Sequence, residues 1–216
     1  MIDSFEATTD FTDAIVEIEM LIDYAKENTN TFSKYALFNK SSIILLCTKF
    51  ETFLENFLQE YAYINLKTFD NKTLDTHIYE HILKNQIERL KLDFTNKENR
   101  DIHLENVINL CGSHTFQDIQ NFNINSKFNY GKHGQKEIEK LLREFGLNTE
   151  LSTEIKSRFF NNFNALNAIR NNIIHEDATP SLTHQDVEFH LNEIKTFIFE
   201  LNDKAMSKYN SAYLNV

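Results

Sequence analysis

The chain has 216 residues, of which one is proline and four are glycine, and its formal net charge at pH 7 is −10. This length suits one domain with a sizeable core, and so few turn-forming residues exclude a fold built mainly from strands and hairpins. The acidic charge excludes a protein that coats nucleic acid by bulk attraction, although it is compatible with a small basic cleft that holds one phosphodiester. We therefore expect a single all-α domain over residues 1–216.

The cysteines and the apolar segments indicate the compartment. Cys47 and Cys111 each lie alone in an apolar-periodic segment, which is typical of buried, reduced thiols and not of a disulfide framework. The amino terminus lacks the basic start and the apolar run of a signal peptide, and the longest apolar cluster, Ile43 to Leu46, is too short to cross a bilayer. We expect a cytoplasmic protein without a membrane segment.

Apolar residues in the amino-terminal half recur at three- and four-residue spacing. This spacing predicts a first helix over 10–28, a turn over 29–39, a long second helix from Lys40 to about Leu66, and a third helix from Leu74 to about Phe94. The second helix has the highest density of aromatic residues, so we predict that it is the central element of the core.

His77, Glu80 and His81 in the third helix spell the H-x-x-E-H pattern of inverted zinc peptidases, in which two histidines bind zinc and the glutamate activates water. The solvent face of a helix explains the same spacing. We favour that interpretation because the sequence shows neither a third ligand nor a sheet edge that would align a peptide substrate. We therefore expect no metal and no cofactor, and the zinc peptidase stays a minor alternative.

The middle of the chain gives the weakest pattern. A charged loop is predicted over 96–101 and a weak helix from His103 to Leu110, while the aromatic residues between 116 and 128 show no clean period.

A loop rich in functional groups follows. Tyr130, Lys132 and His133 stand between Phe128 and Gly134, and an aromatic ring with two cations can stack on a base and contact phosphate. These three residues are our candidates for substrate binding. An ordinary connection between helices, capped by Gly134, explains the loop equally well.

Three helices are predicted in the carboxy-terminal part. The first covers 135–145 and is closed by Gly146, the second covers about 153–175, and the third begins at Thr183, which forms a variant capping box with Asp186. Because the connection between the last two helices is short, we expect them to pack as an antiparallel pair. The last eight to ten residues are expected to fray.

Arg170, Asn171 and His175 interrupt the apolar pattern at the end of the 153–175 helix. Arginine is a permanently charged, forked donor for phosphate oxygens, and histidine can transfer protons near neutral pH. Asn171 precedes His175 by four residues, which places it to hydrogen-bond the imidazole. A structural helix end explains the same residues if His175 favours the helix dipole and Arg170 pairs with a following carboxylate.

The order Arg-Asn-x-x-x-His on a late helix resembles the signature of the HEPN superfamily. The apolar segment from Ser42 to Leu58, the 128–134 loop and the last helix are similar to the RiboL-PSP-type branch, so that the resemblance covers most of Ser41 to Tyr209. It implies a HEPN-like helical bundle with a long central helix and a carboxy-terminal antiparallel helix pair. It also implies that Glu51 orients Arg170, whereas the residues alone indicate a solvated helix charge.

The resemblance implies a metal-independent endoribonuclease, of the toxin or defence type, that cleaves RNA through attack by the 2′-hydroxyl. Arg170 would bind phosphate, His175 would transfer a proton, and Asn171 would orient His175 or the substrate. Since one motif provides a single histidine for two proton transfers, we also expect a homodimer with a composite active site. The alternative is a non-catalytic HEPN-like dimerisation or interaction module of a toxin–antitoxin or defence system, which binds an antitoxin or another partner protein.

Overall fold

The computed structural model describes residues 3–112, 116, 122, 124–128, 134–175 and 180–214, and these residues form helices and no strand. The all-α prediction is therefore confirmed for this part of the chain. None of its helices has the length and apolar character that a membrane span requires. The helices are α1 (Glu6–Ala14), α2 (Val16–Glu27), α3 (Phe32–Thr68), α4 (Thr76–Leu92), α5 (Lys97–Gly112), α6 (Gln135–Glu144), α7 (Thr153–His175) and α8 (His184–Tyr213).

The long helix α3 is the centre of the bundle, as predicted, and it contacts α1, α2, α7 and α8. Its apolar residues occupy several sides of the helix, which is the pattern of a helix surrounded by others. Phe50 is completely buried, and its ring centroid lies 5.5 Å from that of Phe159 and 5.2 Å from that of Phe163 on α7. Aromatic rings therefore form part of the contact between α3 and α7.

The predicted turn over 29–39 is wrong, because α3 already begins at Phe32. Two polar residues of this first part bind the start of the last helix. The Tyr35 hydroxyl accepts from the His184 backbone N–H at 3.0 Å, and the Asn39 side-chain amide donates to the Leu182 carbonyl at 3.0 Å. Tertiary hydrogen bonds thus satisfy polar side chains of this segment, although its composition alone favours a turn.

The predicted single helix over 10–28 is divided at Ile15 into α1 and α2. Helix α1 also begins earlier than predicted, because the Glu60 carboxylate on α3 accepts from the backbone N–H groups of Glu6 at 2.7 Å and Ala7 at 2.9 Å. A carboxylate at this end satisfies free N–H groups and complements the helix dipole. The cap comes from a residue 54 positions away in sequence.

Two smaller predictions are also wrong. Helix α5 begins at Lys97 and so includes most of the predicted 96–101 loop. Cys111 is exposed, although Cys47 is buried as expected. Helix α8 continues to Tyr213, so fraying of the last residues, which stays a prediction, would be fraying of a helix end.

Helices α7 and α8 form the predicted antiparallel pair. Helix α7 ends at His175 and α8 begins at His184, so the chain joins the two helices at these ends. Nearer the start of α7, Arg158 binds Glu193, and the Phe159 and Phe197 rings stack with centroids 3.7 Å apart. The capping box is confirmed, since Asp186 Oδ2 accepts from the Thr183 backbone N–H at 2.9 Å and the Asp186 backbone N–H donates to Thr183 Oγ1 at 3.2 Å. This pair fixes the direction in which α7 ends.

Gly146 closes α6 in the left-handed conformation, with φ of 69°. Its carbonyl accepts from Lys208 Nζ at 2.7 Å, and the same ammonium group pairs with the Asp75 carboxylate at 2.7 Å. A Cβ at this position would lie 2.9 Å from Lys208 Nζ and 3.0 Å from Asp75 Oδ1. Glycine is therefore required both by the backbone conformation and by the close approach of an ion pair.

We expect Gly146→Ala to lower the free energy of unfolding by about 2 to 4 kcal/mol, because alanine adds left-handed strain and separates the Lys208–Asp75 pair. The change is measured by urea unfolding followed by circular dichroism. Gly112→Ala is the control, because a Cβ there has no neighbour within 4 Å. Equal stability of the two variants would contradict the assigned role of Gly146.

Candidate functional site

Arg170 occupies the apolar stripe of α7. It follows Phe163 by seven residues and Leu166 by four, and it precedes Ile173 by three, so all four residues share one side of the helix. The three apolar side chains are buried, and Arg170 itself is half-buried. A guanidinium at a core position has a desolvation cost that a structural role would normally offset with a carboxylate partner.

The hydrogen bonds of Arg170 leave part of its guanidinium unsatisfied. Nη1 donates to the Asn171 side-chain oxygen at 3.3 Å, while Nε is buried and has no hydrogen-bond partner among the described residues. No ion pair within residues 3–112, 134–175 and 180–214 includes Arg170. An unsatisfied buried donor costs about 1 to 3 kcal/mol, so this position is not optimised for stability.

Cys47 of α3 lies within electrostatic range of both Glu51 and Arg170. Burial, which is the largest effect, and the negative charge of Glu51 raise the pKa of the Cys47 thiol, the positive charge of Arg170 lowers it, and the net result is a pKa of about 12. Glu51 and Arg170 therefore both act electrostatically on one thiol at the α3–α7 contact. A thiol with so high a pKa stays neutral, so Cys47 packs there as a small apolar side chain.

His175 is the exposed last residue of α7. It lies about 7.5 Å farther along the helix axis than Arg170 and is rotated by about 140°. Within one chain, the arginine thus faces the bundle and the histidine faces solvent. The side-chain hydrogen bond of Asn171 in the structure runs to Arg170 and not to the predicted partner, His175.

The three predicted substrate-binding residues, Tyr130, Lys132 and His133, lie outside the residues that the structure describes, as do Glu176 and Asp177. The two sides of their loop are anchored. The Phe128 backbone N–H donates to Glu55 Oε1 on α3 at 3.0 Å, and Gln135 at the start of α6 accepts from the Asn164 amide on α7 at 2.9 Å. Asn164 precedes Arg170 by six residues, or about 9 Å along α7.

The H-x-x-E-H residues of α4 line one pocket but differ in burial. His77 is exposed, whereas the His81 side chain is only 5% exposed, so the solvent-face interpretation is wrong for His81. The His81 Nδ1 atom lies 3.4 Å from the Glu144 carboxylate and Nε2 lies 2.9 Å from the Asn125 carbonyl oxygen. Both ring nitrogens thus have protein partners, and the described residues contain no group of three His, Cys, Asp or Glu suited to a metal ion.

The comparisons with known proteins identify one family. The RiboL-PSP-HEPN family model matches residues 9–207. The matched range begins in α1 and ends in α8, so it includes Glu51 on α3 and both Arg170 and His175 on α7. Neither a curated protein nor a solved structure gives a significant match to the chain.

Proposed function

Because the chain belongs to the RiboL-PSP-HEPN family, we propose that it is a metal-independent endoribonuclease whose active site is formed by Arg170 and His175. The observation that carries this proposal is the position of Arg170, a cation in a core stripe without an ion-pair partner among the described residues. A partly buried charge without a stabilising ion pair is typical of functional sites. A phosphate oxygen would supply the acceptor that the guanidinium lacks.

The reaction needs groups that these two side chains can provide. The 2′-hydroxyl oxygen forms a bond to phosphorus, and the bond from phosphorus to the 5′-oxygen breaks, which leaves a 2′,3′-cyclic phosphate and a 5′-hydroxyl end. A base removes the proton of the 2′-hydroxyl, and an acid protonates the leaving 5′-oxygen. Histidine is suited to either proton transfer near neutral pH, and arginine stabilises the negative charge on the phosphate oxygens.

The proposed roles of the other residues follow from their contacts. Asn171 accepts from Arg170 and would hold the guanidinium in orientation for phosphate. Glu51 would act on Arg170 through charge, since both influence the Cys47 thiol. Tyr130, Lys132 and His133 would bind the RNA chain, because Gln135, which closely follows them in sequence, accepts from Asn164 on α7, the helix that carries Arg170.

A homodimer with a composite active site completes the proposal. Because Arg170 and His175 leave α7 on different sides, one chain does not easily direct both groups at one phosphate. A twofold axis near the end of α7 would bring two such helices together, and a second His175 would supply the second proton carrier. The oligomeric state is therefore part of the proposed mechanism.

The proposal is tested by incubating purified protein with total RNA and with tRNA in the presence of EDTA. We expect cleavage to persist, and we expect the products to carry 2′,3′-cyclic phosphate or 3′-phosphate ends, which end-labelling with and without a phosphatase distinguishes. Loss of cleavage in EDTA and its recovery with Zn²⁺ or Mg²⁺ would contradict the proposed chemistry. No cleavage under any condition, with the fold intact, would favour the non-catalytic interaction module.

A further inference from the structure

His81 on α4 is a buried histidine that the proposed reaction does not use. Its side chain is 5% exposed, and its ring centroid lies 4.6 Å from that of Phe145, the residue that follows α6. It also contacts Asn125, so it lies where α4, α6 and the segment 124–128 meet. A buried imidazole needs an acceptor for each ring nitrogen that carries a hydrogen and a donor for each one that does not.

The Nε2 atom of His81 has two partners of opposite type. It lies 2.9 Å from the backbone carbonyl oxygen of Asn125 and 3.0 Å from the side-chain amide nitrogen of Asn85. A carbonyl oxygen can only accept a hydrogen bond, and a side-chain amide nitrogen can only donate one. Nε2 therefore binds Asn125 when it carries a hydrogen and binds Asn85 when it does not.

The Nδ1 atom of His81 keeps its hydrogen in both cases. It lies 3.4 Å from the Glu144 carboxylate. The hydrogen bond from His81 is the largest cause that lowers the pKa of Glu144, and nearby positive charges add to this effect while partial burial opposes it. Because a charged carboxylate only accepts, the proton that His81 loses is the one on Nε2.

The segment 124–128 is also bound to α3. The Phe128 backbone N–H donates to Glu55 Oε1 at 3.0 Å. Glu55 follows Glu51 by four residues, which places the two carboxylates one turn apart on the same side of α3. The segment therefore contacts α3 one helical turn from Glu51, a residue with a proposed role in the active site, and the contact with His81 is its attachment to α4.

We propose that His81 is a proton-dependent anchor for the segment 124–128. In the cationic form Nε2–H donates to the Asn125 carbonyl and Nδ1–H donates to Glu144, so the segment is bound to α4. In the neutral form the Nε2 proton has passed to solvent, Asn85 donates to Nε2, and the Asn125 carbonyl is released. The bound arrangement holds one proton more than the released one, so a rise in pH favours release, over the range of about pH 5 to 8 in which histidine ordinarily titrates.

His77 is the group from which this titration must be separated. The charged and titratable side chains near His81 come from three elements: His77, Glu80 and Lys84 from α4, Lys140, Arg143 and Glu144 from α6, and Lys127 from the segment. Among these types of side chain, only histidine ordinarily changes its charge between about pH 5 and 8. His77 is exposed and its Nδ1 atom lies 3.2 Å from the Asp75 carboxylate, so His77→Ala removes its titration without touching His81.

The protonation states of His81 are measured by NMR of protein with ¹⁵N-labelled histidine between about pH 5 and 8, and the signal that His81→Gln removes assigns it. We expect both ring nitrogens to carry hydrogen at low pH and only Nδ1 to carry it at high pH. His77→Ala should leave this signal unchanged. A neutral form with its hydrogen on Nε2, or no titration in this range, would overturn the proposal.

Release of the segment is measured by amide hydrogen exchange of a peptide that contains Phe128, corrected for the intrinsic effect of pH. Exchange should become at least about threefold faster as the pH rises from about 5.5 to 8. Glu144→Gln should move this transition to lower pH, because a neutral side chain stabilises the imidazolium less. The matched control is Glu139→Gln, which removes a carboxylate of α6 that binds Gln135, and it should keep the wild-type transition. A transition that Glu144→Gln leaves in place, or that persists in folded His81→Gln, would contradict the anchor.

The consequence for RNA rests on the proposed function. The released segment should contribute less to RNA binding beside Glu51, so KM should rise by at least about threefold with pH in the wild type and stay constant in His81→Gln, while kcat follows His175 in both proteins. A KM that depends on pH equally in both proteins would exclude His81 from substrate binding. Absence of cleavage with the NMR and exchange transitions intact would contradict the ribonuclease but not the anchor, and loss of these transitions in an active protein would overturn the anchor alone.

Discussion

Replacement of Arg170 by methionine is expected to abolish RNA cleavage and at the same time to stabilise the fold. Methionine has a similar length, is apolar and adapts its shape, so it can continue the stripe of Phe163, Leu166 and Ile173. The exchange removes the buried Nε, for which the described part of the chain offers no hydrogen-bond partner, and this should raise the free energy of unfolding by about 1 to 2 kcal/mol. It also removes the cation for the phosphate, which should reduce the cleavage rate at least about 10²-fold to 10³-fold.

The control is Arg158→Met on the same helix. The Arg158 guanidinium is exposed and binds the nearly buried Glu193 carboxylate, so its loss should lower stability and leave cleavage unchanged. Arg170→Met is thus expected to lose activity and gain stability, whereas Arg158→Met is expected to keep activity and lose stability. Melting curves and initial cleavage rates give both quantities. Full activity of Arg170→Met would exclude Arg170 from the site, and its unfolding would show that the guanidinium is a structural group.

The long helices could be predicted because their own apolar spacing determines them. Helices α3, α7 and α8 each bury side chains at three- and four-residue steps, and the end of α6 is marked by a glycine that the backbone conformation requires. The boundaries that were wrong depend on distant residues. The start of α1 depends on the Glu60 cap, and the start of α3 depends on hydrogen bonds that Tyr35 and Asn39 make with the start of α8. No local pattern shows such contacts.

For the candidate site, the sequence provided the residue types and part of the geometry. Arg170 lies seven residues after Phe163 and four after Leu166, and this spacing alone places it on their side of the helix. The position of the arginine on the apolar stripe could therefore have been predicted from the sequence. The contact of Asn171 with Arg170 could not, because neighbouring residues meet only when their side-chain rotamers allow it. The effect of the Arg170 charge on the Cys47 thiol depends on how α3 packs on α7, which needs the tertiary structure.

A mixture of wild-type protein with its His175→Ala variant is expected to lose more activity than dilution explains. The variant alone should be inactive, with a loss of about 10²-fold to 10⁴-fold, because it lacks the proposed proton carrier. His175 is exposed, so the alanine should change the free energy of unfolding by less than about 0.5 kcal/mol. The cause of any loss is therefore chemical and not structural.

The composite site determines how the mixture behaves. If both proton transfers require a His175, one from each protomer, only dimers of two wild-type chains cleave RNA. After subunits have exchanged in an equal mixture, random pairing leaves about one quarter of the dimers in that form, and the activity should fall to about one quarter of that of the same total amount of wild-type protein. Independent protomers would retain about one half. A mixture with His77→Ala, which changes an exposed histidine on α4, should retain full activity and controls for the exchange procedure. Retention of one half would contradict the shared cleft, and His133 would then be the first candidate for the second proton carrier.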